Sequence, residues 1–275
     1  MLDKVDRIQL TVADRKSAAA NWQALFGAEV AREDDSAYLS AKRTIMSFGE
    51  SEVELCQPDG AGRCADFLAE RGEGLMTAGL STSDMAGLVA HMAGLGVEPI
   101  WDGEQFYLNA ADHFGMPFVI SPSLMRPRVG LVNFLYEVTN TLISDWSGAA
   151  AHFAGLFNLD ATRFSAIGSE RFGYKGTLTL FNPPERLDRI EISQVTNDTS
   201  AMGRWAAKRG DSLYMCYCET HDIGAFLDSL DANRARWTPR GDTQEAEQHG
   251  LWVHPSATNG LLLGVSRTTF AWNWS

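Results

Sequence analysis

The chain repeats itself, and this limits its fold more than any other feature of the sequence. The segment "ADFLAERGEGLMTAGLSTSDMAGLVAHM" (65–92) aligns without a gap on "GRWAAKRGDSLYMCYCETHDIGAFLDSL" (203–230), an offset of 138 residues. Both read as a short helix, Arg-Gly-acid-x-Leu, a strand, and a helix started by an Asp. The second helix places apolar residues at Met85, Leu88 and Val89, or at Ile223, Phe226 and Leu227. Upstream, "SEVELCQPDG" (51–60) matches "DRIEISQVTND" (188–198), each a strand carrying one carboxylate, Glu54 or Glu191, in an apolar stretch. Further upstream, "VDRIQLTVADRKSAAANWQALFGAE" (5–29) parallels "LVNFLYEVTNTLISDWSGAAAHFAGLFNL" (131–159) as strand, connection and Trp-containing helix. The ends agree too: "FYLNAADHFGMPFVISP" (106–122) and "LWVHPSATNGLLLGVSR" (251–267) each read as strand, turn closed by Gly115 or Gly260, and strand.

The repeat predicts an N-terminal half at 1–122, a linker at 123–129 and a C-terminal half at 130–275. The joint "SPSLMRPRVG" has no periodicity and carries Pro and Arg. Each half divides again into two units of strand, helix and about three strands. The predicted class is therefore α+β: four βαβββ modules forming two cupped, mostly antiparallel sheets.

Composition narrows the function. A net charge of −12 argues against a nucleic-acid surface, which needs clustered Lys and Arg. No apolar run reaches the roughly 18 residues of a membrane span, and the N-terminus lacks a basic-then-apolar leader, so no membrane association is expected. Cys56, Cys64, Cys216 and Cys218 have no CxxC spacing and read as reduced thiols of a cytoplasmic protein. Cys216 and Cys218 share a strand face, as core residues or as a soft metal pair.

Four βαβββ units resemble the vicinal oxygen chelate superfamily of glyoxalases, methylmalonyl-CoA epimerases, extradiol dioxygenases and bleomycin- or fosfomycin-resistance proteins. The residues that carry the resemblance are "DRIQLTVAD" with its helix, "VELCQP", "GEGLMTAGLSTSDMAGLVAHMAGLGV" and the strand-turn-strand segments ending each half. The resemblance implies two units closing a cupped sheet around a cavity. It also implies a divalent metal there, bound by a His in a unit's first strand and a Glu in its last. In the first half those positions fall on Arg7, Glu54, Thr77 and Phe118 or Val119. In the second half they fall on Asn133, Glu191, Met215 and Leu263 or Gly264. Each half keeps one carboxylate and no His, and Arg7 would repel a cation. The expectation is a cavity without the usual metal or other cofactor. The rival is a displaced site drawing on His91, His113, His152, His221, His249 or His254.

Alternation groups the cavity side chains. Glu54 brings Cys56, and Arg7 brings Gln9 and Thr11. Asn133 brings Leu135 and Glu137, Glu191 brings Ser193, and Met215 brings Tyr217 and Glu219. Arg7 either neutralises Glu54 in a structural ion pair or holds a ligand carboxylate or enolate bidentately. Glu137, Glu191 and Glu219 have no matching cation on those faces, and crowding of this kind raises a carboxyl pKa toward a general acid or base. His113 and His254 sit near the turns of their halves, and His254 joins the candidate substrate contacts with Arg7, Glu54, Thr77, Asn133, Met215, Tyr217 and Glu219. The tail rings Phe270, Trp272 and Trp274 would edge the sheet, cap a cavity mouth or line a homodimer seam.

These features predict a protein that binds a small aromatic or acyl/carboxylate compound, with acid–base chemistry by Glu191, Glu137 or Arg7. The alternatives are a metal-dependent lyase, isomerase or ring-cleaving dioxygenase with displaced ligands, and a non-catalytic sequestration protein.

Overall fold

A computed structural model describes residues 1–183, 186–241 and 250–267; His249 and the aromatic tail at Phe270, Trp272 and Trp274 lie outside the described residues. The first module is β1 (Lys4–Thr11), α1 (Arg15–Phe26), β2 (Glu29–Ser36), β3 (Ala41–Phe48) and β4 (Ser51–Pro58). A short α2 (Arg63–Arg71) leads to the second module: β5 (Gly74–Thr82), α3 (Met85–Gly94), β6 (Ile100–Asp102), β7 (Gln105–Leu108) and β8 (Phe118–Pro122). The third is β9 (Phe134–Leu142), α4 (Trp146–Phe157), β10 (Ser165–Ser169), β11 (Tyr174–Leu180) and β12 (Arg189–Val195). After α5 (Ala201–Arg209) the fourth follows: β13 (Ser212–Thr220), α6 (Ile223–Ala232), β14 (Trp237–Pro239), β15 (Leu251–Val253) and β16 (Leu262–Arg267).

Local chemistry explains these boundaries. Asp14, Asp84, Asp145 and Asp222 each cap a helix by accepting backbone N–H bonds from its first turn. The long helices carry buried stripes such as Trp22, Leu25 and Phe26, or Ile223, Phe226 and Leu230, and these cover one face of a sheet.

Each half is one eight-stranded sheet, ordered β2-β3-β4-β1-β5-β8-β7-β6 or β10-β11-β12-β9-β13-β16-β15-β14. Within each sheet the two modules join through antiparallel pairing of their first strands, β1 with β5 and β9 with β13. The first sheet curls until its edge strands meet, with the Ser36 hydroxyl on β2 donating to Asp102 Oδ2 on β6 at 2.5 Å. The fold class is therefore α+β with four βαβββ modules in two cupped sheets, as the repeat implied.

The helical faces of the two halves pack on each other and share one core. Phe26 of α1 stacks on Phe226 of α6 at 5.5 Å, and His91 of α3 bonds the Gly155 carbonyl of α4 at 2.7 Å. Cys216 and Cys218 are both fully buried in this core, which settles them as packing residues. Bulges interrupt the first strand of each half, between Val5 and Arg7 and opposite Tyr217/Cys218. The amides beside them bond reciprocally across the halves, Val5 N–H to Asp188 Oδ1 at 2.7 Å and Leu135 N–H to Ser51 Oγ at 2.9 Å. A bulge leaves a backbone group without a ladder partner, and a side chain of the other half supplies one.

His113 and His152 meet at this interface, Nδ1 to Nε2 at 2.9 Å, with His113 only 3% exposed. Burial and then the facing His152 push His113 down to about 4, so both rings are neutral at pH 7. Proton uptake thus favours the unfolded chain, in which His titrates near 6.5. This stability is complete above about pH 6.5 and falls by up to about 3 kcal/mol as pH drops to 4. Urea denaturation of wild type and His113→Asn across that window checks this. The difference between the two should shrink as pH falls; a constant difference contradicts it.

Candidate functional site

The concave face of the first cup is filled by its own charges. Arg7 is 4% exposed and reaches Glu54 at 2.8 Å, Asp6 at 3.0 Å and Glu52 at 3.2 Å. Both Glu54 oxygens are used, because Arg43 Nη1 and the Gln9 amide each donate to Oε2 at 2.8 Å. Burial opposes ionisation of Glu54, but Arg7 and then Arg43 outweigh it and hold the carboxyl below its usual range. Arg126 and Arg32 complete the pairing of Asp6 and Glu52, at 2.7 and 2.5 Å. The long Arg7 side chain fits because β5 carries Gly79 opposite it; a Cβ there would lie 2.1 Å from Arg7 Cγ.

In the second cup the same positions carry the opposite signs. Strand pairing sets Arg7 beside Glu52 in the first half and Glu137 beside Arg189 in the second. Arg189 and Glu137 are both fully buried, with Nε to Oε2 at 2.6 Å. Glu54 corresponds to Glu191, which receives the Ser193 hydroxyl at 2.5 Å and shares a hydrogen bond with Glu137. Burial, then the Glu137 charge, oppose ionisation of Glu191 and push its carboxyl well above the ordinary range. The residue at the Arg43 position is Gly176, and Gln9 corresponds to Thr139. The charge and bulk that close the first cup are thus missing here.

What remains is a cavity of about 260 Å³. Glu191 and Thr139 line its base; Tyr174, Tyr214, Tyr217, Trp252 and Phe172 supply aromatic walls, and Met202, Met215 and Leu262 complete the apolar surface. Arg171, Arg240 and His254 also line it. Here the exchange of small and large residues is reversed: Gly264 makes room for Tyr217, whose Cδ1 would lie 2.1 Å from a Cβ at 264. The Trp252 indole N–H fixes the Tyr217 hydroxyl at 2.8 Å, and Phe172 meets Trp252 edge-on at 5.4 Å. Two further clefts adjoin the first cup. One, of about 450 Å³, runs past the exposed Arg63, Asp66, Glu70 and Arg71 of α2, and the other, of about 490 Å³, is walled by the ion-paired Arg7, Arg32, Arg43 and Arg126.

The sequence-predicted residues separate into three places. Glu191, Met215, Tyr217 and His254 line the 260 Å³ cavity, and Glu137 lies beneath Glu191. Arg7 and Glu54 belong to the packed network of the first cup, and Thr77 lines the cleft beside α2. Asn133 and Glu219 do not line the 260 Å³ cavity; the Asn133 amide donates to Glu219 Oε1 at 3.1 Å at the joint between the halves. The expected equivalence of Asn133 with Arg7 is off by four residues. Glu137 faces Tyr217 as Arg7 faces Gly79, and those partners are 138 residues apart. The shift at Tyr217/Cys218 adds Tyr136 to β9, so alternation breaks on that strand and Leu135 enters the core. Phe118 and Leu263 pack in the core, while Val119 and Gly264 take the inner positions.

Sequence reasoning missed Arg189, the cation it expected to be absent. The signal was present: Arg189 stands two residues before Glu191 and therefore shares its face.

The Glyoxalase/Bleomycin resistance protein/Dioxygenase superfamily model matches residues 6–114. The matched segment lies within the N-terminal half of the chain. Among solved structures, a mutant of 4-hydroxymandelate synthase from Streptomyces coelicolor superposes with a TM-score of 0.72 at 12% identity, over 97% of this chain and 93% of that one. A fusion of a xylose isomerase-like TIM barrel with a 4-hydroxyphenylpyruvate dioxygenase gives 0.67 at 12% identity, over 97% of this chain and 49% of that one. Methylmalonyl-CoA epimerase from Streptomyces coelicolor overlies 45% of this chain and 99% of its own, with 0.41 and 19% identity. No curated protein is similar enough in sequence to match.

Members of this superfamily often hold a divalent metal, but the donors here do not fit one. Both Glu54 oxygens are taken by guanidinium and amide groups, and Glu191 is bonded to Glu137 and Ser193 beside Met215 and Gly264. Among the described residues, no group of three His, Cys, Asp or Glu is placed to hold a metal ion.

Removing one partner of a buried pair strands the others, so Arg7→Ala should cost about 3–5 kcal/mol. Urea unfolding measures this; a loss below about 1 kcal/mol contradicts a structural role for Arg7.

Proposed function

We propose that this protein binds a small, single-ring organic molecule in its C-terminal cup, without a resident metal, and that Glu191 exchanges a proton or hydrogen bond with the ring's polar substituent. One observation carries the reading: among the described residues, the second cup sets aromatic walls around a buried carboxyl whose ionisation burial and Glu137 oppose, whereas the matching carboxyl of the first cup is closed off by Arg7 and Arg43. The size supports it, since an apolar cavity of about 150 Å³ already holds benzene, and 260 Å³ adds room for a short substituent. The walls support it as well, offering ring faces and edges with one convergent polar group.

In this reading Glu191 is the acid–base residue. Glu137, fixed by Arg189, positions it and accepts its proton in the hydrogen bond. Tyr217, Met215, Trp252 and His254 contact the ligand. Arg7 and Glu54 act in folding rather than in chemistry, and Asn133, Glu219 and Thr77 do not touch the ligand. The chemistry such a site supports is proton transfer next to the ring, as in an isomerisation. The four cysteines are buried and free, which suits a cytoplasmic protein. No helix among the described residues is long and apolar enough to cross a membrane.

Ligand-observed NMR with benzyl alcohol tests the reading. The wild-type protein should bind it with Kd below about 1 mM. Met215→Trp, which fills the cavity, should abolish binding while keeping the wild-type thermal transition. Absence of binding to the wild type, or unchanged binding to Met215→Trp, would overturn it.

A further inference from the structure

The internal repeat lets one cup serve as a template for what the other lacks. In the first cup Glu52 and Glu54 meet the guanidinium groups of Arg7 and Arg43, and Arg43 stands at 2.8 Å from Glu54. In the second cup Glu137, at the Arg7 position, meets Arg189, at the Glu52 position, and Glu191 stands at the Glu54 position. The Arg43 position is Gly176, the Gln9 amide is replaced by Thr139, and the space beside Glu191 and Thr139 is cavity. A planar N–H donor that the first half carries on its own chain is replaced in the second by a hole of ligand size.

We propose that the C-terminal cup is built for a ring bearing a cationic N–H donor (an amidine, guanidine or amine), which takes the place against Glu191 that Arg43 holds against Glu54. The proposal rests on the reading of this cup as the ligand site.

The surroundings of Glu191 fit such a donor. Glu137 stands beside it from β9 and Arg189 from its own strand, while Tyr174 on β11 and Tyr214 and Tyr217 on β13 face it. Arg240, just after β14, is a buried cation of the cavity wall that feels Tyr217, Tyr136, Glu137 and Glu191, with its guanidinium 5.5 Å from the Tyr217 ring centroid, and His254 lines the cavity beside Thr238. Ring faces attract a cation, whereas a ligand carboxylate at the base would meet two carboxyl groups. Binding converts the Glu191 carboxyl to a carboxylate. Its O–H bond breaks, the proton leaves to solvent, and the oxygen accepts from the ligand's N–H. Affinity should therefore rise with pH until Glu191 no longer needs to lose a proton.

Isothermal titration in two buffers of different ionisation enthalpy tests this with benzamidine, benzyl alcohol and benzoate. A hydrogen bond to a charged partner is worth enough to predict that benzamidine binds the wild type at least about tenfold tighter than either other probe. Nearly one proton should be released per benzamidine bound near neutral pH. Glu191→Gln should remove the proton release and bring benzamidine and benzyl alcohol within about threefold of each other. Preferred binding of benzoate, benzamidine binding without proton release, or a preference that survives Glu191→Gln would overturn the donor assignment and leave the ligand cup standing. Failure of all three probes to bind would overturn both.

Discussion

A buried guanidinium–carboxylate pair sits at the base of each cup, on the two central parallel strands, and the rest of the molecule is arranged around it. Taking such charges out of water costs several kcal/mol per ion, and a lone buried charge is intolerable, so each must be met by a partner of opposite sign. The first half meets this demand with Arg7 on β1 against Glu52 and Glu54 on β4. The second meets it with the signs exchanged, Glu137 on β9 against Arg189 on β12. Either polarity satisfies the same backbone, so duplicated halves could diverge here without losing the fold. The bulges that help bring these side chains inward leave amides that only the other half can satisfy, which couples the base of each cup to the interface.

Charge balance then separates a packed cup from an open one. The first cup adds Arg43, whose guanidinium closes on Glu54 and on Asp34 at 2.7 Å, and the concave face is filled. The second cup has glycine at that place, and its second carboxyl, Glu191, borders a cavity instead. Burial and the neighbouring Glu137 charge both oppose ionisation of that carboxyl. A domain with a large shared core can carry such a group, and groups held away from their ordinary pKa are common where proteins do chemistry. The exchange between Gly79 and Gly264 makes the same point in steric terms: one opens space for a cation, the other for a tyrosine that walls a cavity.

Most of the fold was legible because it rests on local and periodic signals. The gapless alignment of 65–92 on 203–230 marks the second and fourth modules, and Asp84 and Asp222 cap the helices where that alignment placed them. Strand alternation correctly set Glu191 beside Ser193, and Met215 and Tyr217 on the cavity wall. It fails on β9, where Tyr136 is an added residue and Leu135 turns into the core; the expected equivalence of Asn133 with Arg7 lies four residues before Glu137, which the strand register identifies. The His113–His152 contact joins residues of different halves, and no local pattern reports such a pairing. Arg189 was readable from its spacing to Glu191, but its partner became visible only once the register of β9 was known.

The central claim is that burial and the neighbouring Glu137 store a proton on Glu191 in the second cup. A pH titration of the glutamate side-chain carboxyl carbons by NMR, in wild type and Glu191→Gln, addresses it directly. The account predicts one carboxyl resonance that remains in its protonated position at pH 7 and is absent from the variant. Ionisation of every glutamate below about pH 5 would contradict it.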